Sequence, residues 1–304
     1  MTEREFSKVA ATRRGVHDRL LALDEGHPPT YNPRRTLNLH VEFTRQLKRR
    51  RTQIVVLLLL VLPIIIALAF KLGGGPEARD NAPELVSLAT AGSSNFALFT
   101  EFAAVGFLLV VVVALFFGDT VASEAQWGSL RYTLATPVPR LRLLRQKWYA
   151  ALVLSVGAFL LLVAVGLVAG GIAFGFDAIT TPVGVTIGQG DGLLRLAGMV
   201  GYLTVHLLVV GTLAFWFSTV TDAPLAAVGG AIFTMFVFAI LDQVEQLGSI
   251  RDWFPTAGEF AWTDLLQTPV DSADLYRGVI QSLVYAAVFT ALAFRHFARR
   301  DVTS

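Results

Sequence analysis

The sequence predicts an all-α membrane protein: six transmembrane helices, preceded by an interfacial helix and interrupted by a short cytoplasmic helix between the second and third spans. Three observations carry this reading. Of the 304 residues 54% are hydrophobic and only 16% are charged, and the mean hydropathy is +0.59, whereas a soluble domain is about 25% charged. Six apolar stretches are each long enough to cross a bilayer. Lys and Arg fall twenty to five between the two sets of alternating inter-span intervals, which by the positive-inside rule sets both termini in the cytoplasm of a multi-pass cell-membrane protein.

Residues 1–35 are polar, contain the turn-rich run 27–33, and read as a cytoplasmic N-terminal tail. Residues 36–52 form an amphipathic stretch in which Leu39, Phe43 and Leu47 share a face and Lys48, Arg49, Arg50 and Arg51 close the run. This predicts an interfacial helix, its apolar face in the headgroup layer and its cations near anionic lipid. The six-span domain then covers 53–294, with spans at about 53–70, 96–117, 148–174, 196–217, 224–241 and 277–294, and a cytoplasmic tail at 295–304. Span 1 carries Pro63, and span 3 carries Gly166 and Gly170 at the spacing that lets helices approach closely. Asp222, Ala223 and Pro224 form a helix-start signal for span 5. The interval 242–276 contains Trp253, Phe254, Phe260 and Trp262, which predicts short helices on the outer surface with aromatics at headgroup depth.

Between spans 2 and 3 lies the one long polar interval rich in cations. Val121, Trp127, Leu130 and Leu134 recur at helical spacing and predict a short amphipathic helix over 119–134. Pro137 and Pro139 stop it, and Arg140, Arg142, Arg145 and Lys147 lead into span 3.

The chemistry is notable for what the sequence lacks. There is no cysteine, so thiolate metal sites, disulfides and thiol nucleophiles are excluded. The five histidines are dispersed, no metal-ligand spacing occurs, and no G-x4-G-K-[ST] phosphate loop is present. The chain is therefore read as a non-enzyme that binds no cofactor or metal of its own, and a net charge of +2 gives no case for nucleic acid. Glu101 and His206 are the candidate pathway residues within the spans. The bland alternatives are an interfacial carboxylate and a satisfied histidine.

The run Glu124, Gly128, Leu130, Arg131, Leu134, Pro137, Arg140, Leu144 and Lys147 matches E-x3-G-x-L-R-x2-L-x2-P-x2-R-x3-L-x2-K. Together with the basic helix before span 1, the six spans and the Arg-Arg-Asp ending, it resembles the permease subunits of ABC type-2 transporters over roughly 36–304. The resemblance implies a coupling helix at about 119–134, seated in a separate ATP-binding cassette ATPase that handles ATP and Mg²⁺. It further implies a second permease subunit, identical or related, and ATP-driven export. On that likeness Glu124, Trp127, Gly128, Arg131, Pro137 and Arg140 are the ATPase-coupling residues. By residue type, Glu124 and Arg131 would pair with the ATPase or with each other, Gly128 would permit close backbone approach, and Pro137 would turn the chain back to the membrane. The rival readings are an ATP-independent carrier or channel and a membrane scaffold without transport.

Overall fold

The computed structural model describes residues 39–73, 88–129, 138–180, 186–267, 269–270 and 272–299. The predicted tail 1–35, and Leu130, Arg131, Leu134 and Pro137 of the motif, lie outside the described residues. In chain order the helices are α1 (Leu39–Leu47), α2 (Arg50–Leu72), α3 (Ser93–Ala104), α4 (Val110–Gln126), α5 (Arg140–Phe174), α6 (Gln189–Val220), α7 (Pro224–Asp242) and α8 (Ala273–Arg299). A single π-turn, Val105–Leu109, joins α3 to α4. Among the described residues six helices, counting α3 to α4 as one, are long and apolar enough to cross a membrane. The protein is an all-α membrane protein.

Helix α6 is the hub, packed against α8, α4 and α7, while α3 and α2 lie against α5. The buried core runs through Leu109, Val113 and Phe117, Leu154 and Phe159, and Leu203, Leu207 and Phe215. The outward faces of α2, α7 and α8 keep large apolar residues exposed, among them Ile54, Leu57, Phe233 and Ile280, as suits contact with lipid.

Three expectations are corrected. The stretch 119–126 is not a separate helix: span 2 continues without interruption from Ser93 to Gln126. Its polar residues Asp119, Thr120, Ser123 and Glu124 are buried and have partners within the chain, so the fall in hydropathy there does not end the helix. Span 3 likewise starts at Arg140, the basic run forming its first turns after Pro139. The outer aromatics divide: Trp253 and Phe260 are exposed, but Trp262 is only 1% exposed and packs on Phe102, ring centroids 6.2 Å apart.

The predicted interval between spans 3 and 4 holds a two-stranded antiparallel pair, Ile179–Thr180 with Thr186–Ile187. Asn95 at the start of α3 anchors it, its Nδ2 donating to the Thr180 carbonyl at 2.7 Å and its Oδ1 accepting from the Thr180 N–H at 3.0 Å. Two 3-10 segments, Glu245–Trp253 and Ala261–Leu266, cap the same end of the bundle.

Candidate functional site

At the opposite end, where α1 meets α4 and α5, charged side chains converge below the apolar core. Lys147 sits two turns into α5, with Leu143, Leu144, Ala150 and Ala151 buried around it, and is itself fully buried. The three N–H groups of its ammonium donate to three oxygens: Glu42 Oε1 at 3.2 Å, the Thr120 carbonyl at 3.1 Å and Glu124 Oε1 at 2.5 Å. Glu42 comes from α1 and also accepts from Gln46 Nε2 at 3.1 Å. Arg45, one turn along α1, pairs with Glu124 as well. One buried cation thus ties α1, α4 and α5 together, and its carboxylate partners keep it from being an uncompensated charge.

A second set lies beside it. Arg49, at the junction of α1 and α2, donates to Asp119 Oδ2 at 2.6 Å and to Ser123 Oγ at 3.2 Å, and Arg51 pairs with the other oxygen of Asp119. Across α4 the hydroxyl of Ser218, from the end of α6, accepts the backbone N–H groups of Val121 and Ala122 at 3.1 and 2.9 Å. On the same turns the Phe117 carbonyl accepts from Thr120 Oγ1 and the Thr120 carbonyl from Lys147 Nζ. The last turns of α4 are therefore gripped from three sides.

Helix α4 stops at Trp127 and Gly128. Gly128 has φ +64°, a left-handed turn suited to glycine, and its N–H reaches the Ala125 carbonyl at 3.0 Å. The Trp127 side chain is 81% exposed on this turn. Arg140 is at the exposed start of α5.

The structure thus divides the sequence-predicted residues. Glu124 faces inward to Lys147 and Arg45, and Trp127, Gly128 and Arg140 belong to the turn region beyond it; Arg131 and Pro137 lie outside the described residues. Glu101 and His206 are elsewhere. Glu101, in α3, is 5% exposed and both its carboxylate oxygens lack a hydrogen-bond partner among the described residues. His206, in α6, is buried, stacks on Tyr202 and meets Ser282 Oγ through Nδ1 at 3.3 Å. Sequence reasoning missed Glu42, Asp119, Arg49 and Ser218 as members of the network. The readable signals were faint: Glu42 is the one acid in the basic interfacial stretch, and Lys147 is the one cation of its run with apolar neighbours on both sides of its helical face.

Burial pushes the Glu42 carboxyl up, but Lys147, Arg45 and the Gln46 amide outweigh it and hold the group below its ordinary 4.5. A carboxyl held low in the folded state stabilises the fold fully above its unfolded pKa and loses that contribution as pH falls through the folded value. The thermal midpoint of the purified protein is thus expected to drop on acidification below 4.5, and Glu42→Gln to flatten part of that drop. An acid profile identical in the variant would show that Glu42 plays no part in it.

A family model described as ABC-2 family transporter protein matches residues 39–248. The chain belongs to that family. An uncharacterized protein, YhcI of Bacillus subtilis (strain 168), is 27% identical over 225 residues, covering 70% of this chain and 67% of the relative. The ABC-2 match makes this a multi-pass membrane permease component of an ABC transporter, the transmembrane part and not the ATPase, and the family implies ATPase partner subunits in general. In this ABC-2 permease the matched region contains every member of the ion network, from Glu42 to Ser218.

Proposed function

We propose that the protein is the membrane subunit of an ATP-driven exporter, with the ion-network end in the cytoplasm, two permease subunits forming the path, and a separate ATPase binding ATP and Mg²⁺. The observation that carries this reading is the ion network itself. It joins the interfacial helix, the end of span 2 and the start of span 3 into one unit, and the exposed Trp127 turn protrudes directly from it. A push on that turn would be passed to three helices at once, because the buried Lys147 cannot follow one helix without the others. The division of Lys and Arg, twenty to five, supports the cytoplasmic placement of this end. In this scheme Trp127 and Gly128, with Arg131, Pro137 and Arg140, make the docking surface, and Glu124 acts from behind by holding the turn's helix in place.

The test is co-purification of the tagged protein with its native neighbours from mild detergent, followed by an ATPase assay. Trp127→Asp puts a charge on an exposed apolar contact and leaves the core untouched. ATPase retention is expected to fall about tenfold, in line with loss of an aromatic anchor at an interface, with the thermal midpoint of the permease unchanged. If no ATPase accompanies a folded wild-type chain, the carrier or scaffold reading replaces this one.

A further inference from the structure

We infer that the end of the bundle opposite the ion network binds a small organic cation bearing a short apolar group: the charged head sits among Asp242, Glu259 and Asp274, the apolar group against Val105, Gly106 and Leu207. This deepens the export reading and rests on it for the view that this end is the exit. The binding itself requires no ATPase.

The 3-10 segments and the ends of α7 and α8 enclose a cavity of about 450 Å³, within the range of small-molecule sites. Among the described residues Asp242, Asp252, Glu259, Asp264 and Asp274 line it, against one cation, Arg277, which pairs with Asp252 at 3.5 Å. Among the described residues no three Asp, Glu or His are grouped to hold a metal ion. The carboxylates surround a volume instead of converging on a point, the arrangement that suits a bulky organic cation. Burial pushes the Glu259 carboxyl up, and Asp242 beside it adds to the rise; an entering cation would relieve that repulsion.

A second, smaller cavity of about 50 Å³ adjoins the first and shares Ala239, Thr256 and Glu259 with it. Its remaining walls are mostly apolar, and they include the π-turn residues Val105 and Gly106. At Gly106 an added Cβ would meet nothing within 4 Å. At the junction stands the observation that points to a ligand independently of the acids: Thr256 is 7% exposed, lines both cavities, and its hydroxyl has no hydrogen-bond partner. A buried hydroxyl left unpaired costs about 1–3 kcal/mol, and here it lies where a polar head meets an apolar group.

The walls are held in place before any ligand arrives. Tyr202 donates to the Gly258 carbonyl at 2.6 Å, where φ of +82° lets the backbone come close, and Gln281 donates to the Phe254 carbonyl at 2.8 Å. Tyr285 donates to the Trp253 carbonyl at 2.5 Å. A preformed site loses less entropy on binding.

The experiment is calorimetric titration of hexyltrimethylammonium into the full chain in zwitterionic-lipid nanodiscs, with empty discs subtracted. Saturable binding at one site per chain is expected, and hexanesulfonate, with the same tail and the opposite charge, should give none. The double variant Asp242→Asn, Glu259→Gln should bind about tenfold more weakly, and Arg277→Gln more tightly, as the lost and gained charge attraction requires. Gly106→Leu fills the apolar recess and should weaken hexyltrimethylammonium while leaving tetramethylammonium unchanged. Equal binding of the sulfonate, an unchanged double variant, or an Arg277→Gln variant that binds no better would overturn the assignment. The Arg277→Gln arm keeps the test open if the double variant fails to fold. Lost binding with an intact ATPase complex would remove this site alone, and intact binding with no ATPase partner would remove the export reading alone.

Discussion

Lys147→Met is expected to destabilise the protein by about 3–5 kcal/mol, the cost of breaking a buried ion pair by removing one partner. Methionine fits the channel left by the lysine stem, so the change creates little cavity. It removes the ammonium that three oxygens from α1 and α4 share. Glu42 and Glu124 are then left as two buried carboxylates, and Arg45, which is partly exposed, pairs with both. The thermal midpoint in detergent should fall on the order of 10 °C. The triple variant Lys147→Met, Glu42→Gln, Glu124→Gln should recover most of the loss, because a buried pair replaced as a whole by neutral groups is often close to neutral. A single variant as stable as the wild type would mean that the network contributes nothing, and failure of the triple variant to recover would mean that packing around the lysine stem dominates.

Gly166→Leu should separate α3 from α5. A Cβ at Gly166 would come within 2.8 Å of Thr100 Oγ1 and 3.1 Å of the Ala97 Cα, and the second of these is backbone that cannot rotate away. Forcing a larger residue into such a contact costs about 1–3 kcal/mol, and more where the obstacle is main chain. Gly157, in the same helix, is the matched control, since a Cβ there meets nothing within 4 Å. Gly157→Leu should leave the thermal midpoint within a degree or two while Gly166→Leu lowers it clearly. Equal midpoints would show that the two helices do not depend on this close approach. Gly170 repeats the argument one turn on, its Cβ falling 2.7 Å from that of Phe96, so the pair of glycines that the spacing singles out does form a contact face.

The fold was largely legible because hydropathy is a local property. An apolar window of the right length has few choices in a bilayer other than helix, and all six windows are helical in the structure. Helix ends are not legible in this way, for the same reason. At Asp119 the chain turns polar, and a window sees only that; it does not see Arg49, 70 residues before Asp119, or Ser218, 97 residues after Val121, both of which satisfy groups on these turns. Trp262 shows the converse error. An aromatic in a polar interval reads as interfacial, yet contact with Phe102 draws it into the core.

The candidate site was legible in one half. The motif marked the turn after α4 and included Glu124 and Lys147, but the roles expected of Glu124 pointed outward or to Arg131. Its described partners are Lys147 and Arg45, from α5 and α1. Pairing across 23 to 105 residues depends on which helix faces meet, and no single helix carries that information. Composition and periodicity thus suffice for six spans, for a basic helix before the first of them and for the absence of a phosphate loop, since each follows from residues close together in the chain. Only the packing of α1 against α4 and α5 decides that Lys147 is a buried hub and not one more surface cation, because a charge is buried or solvated according to what other segments bring to it.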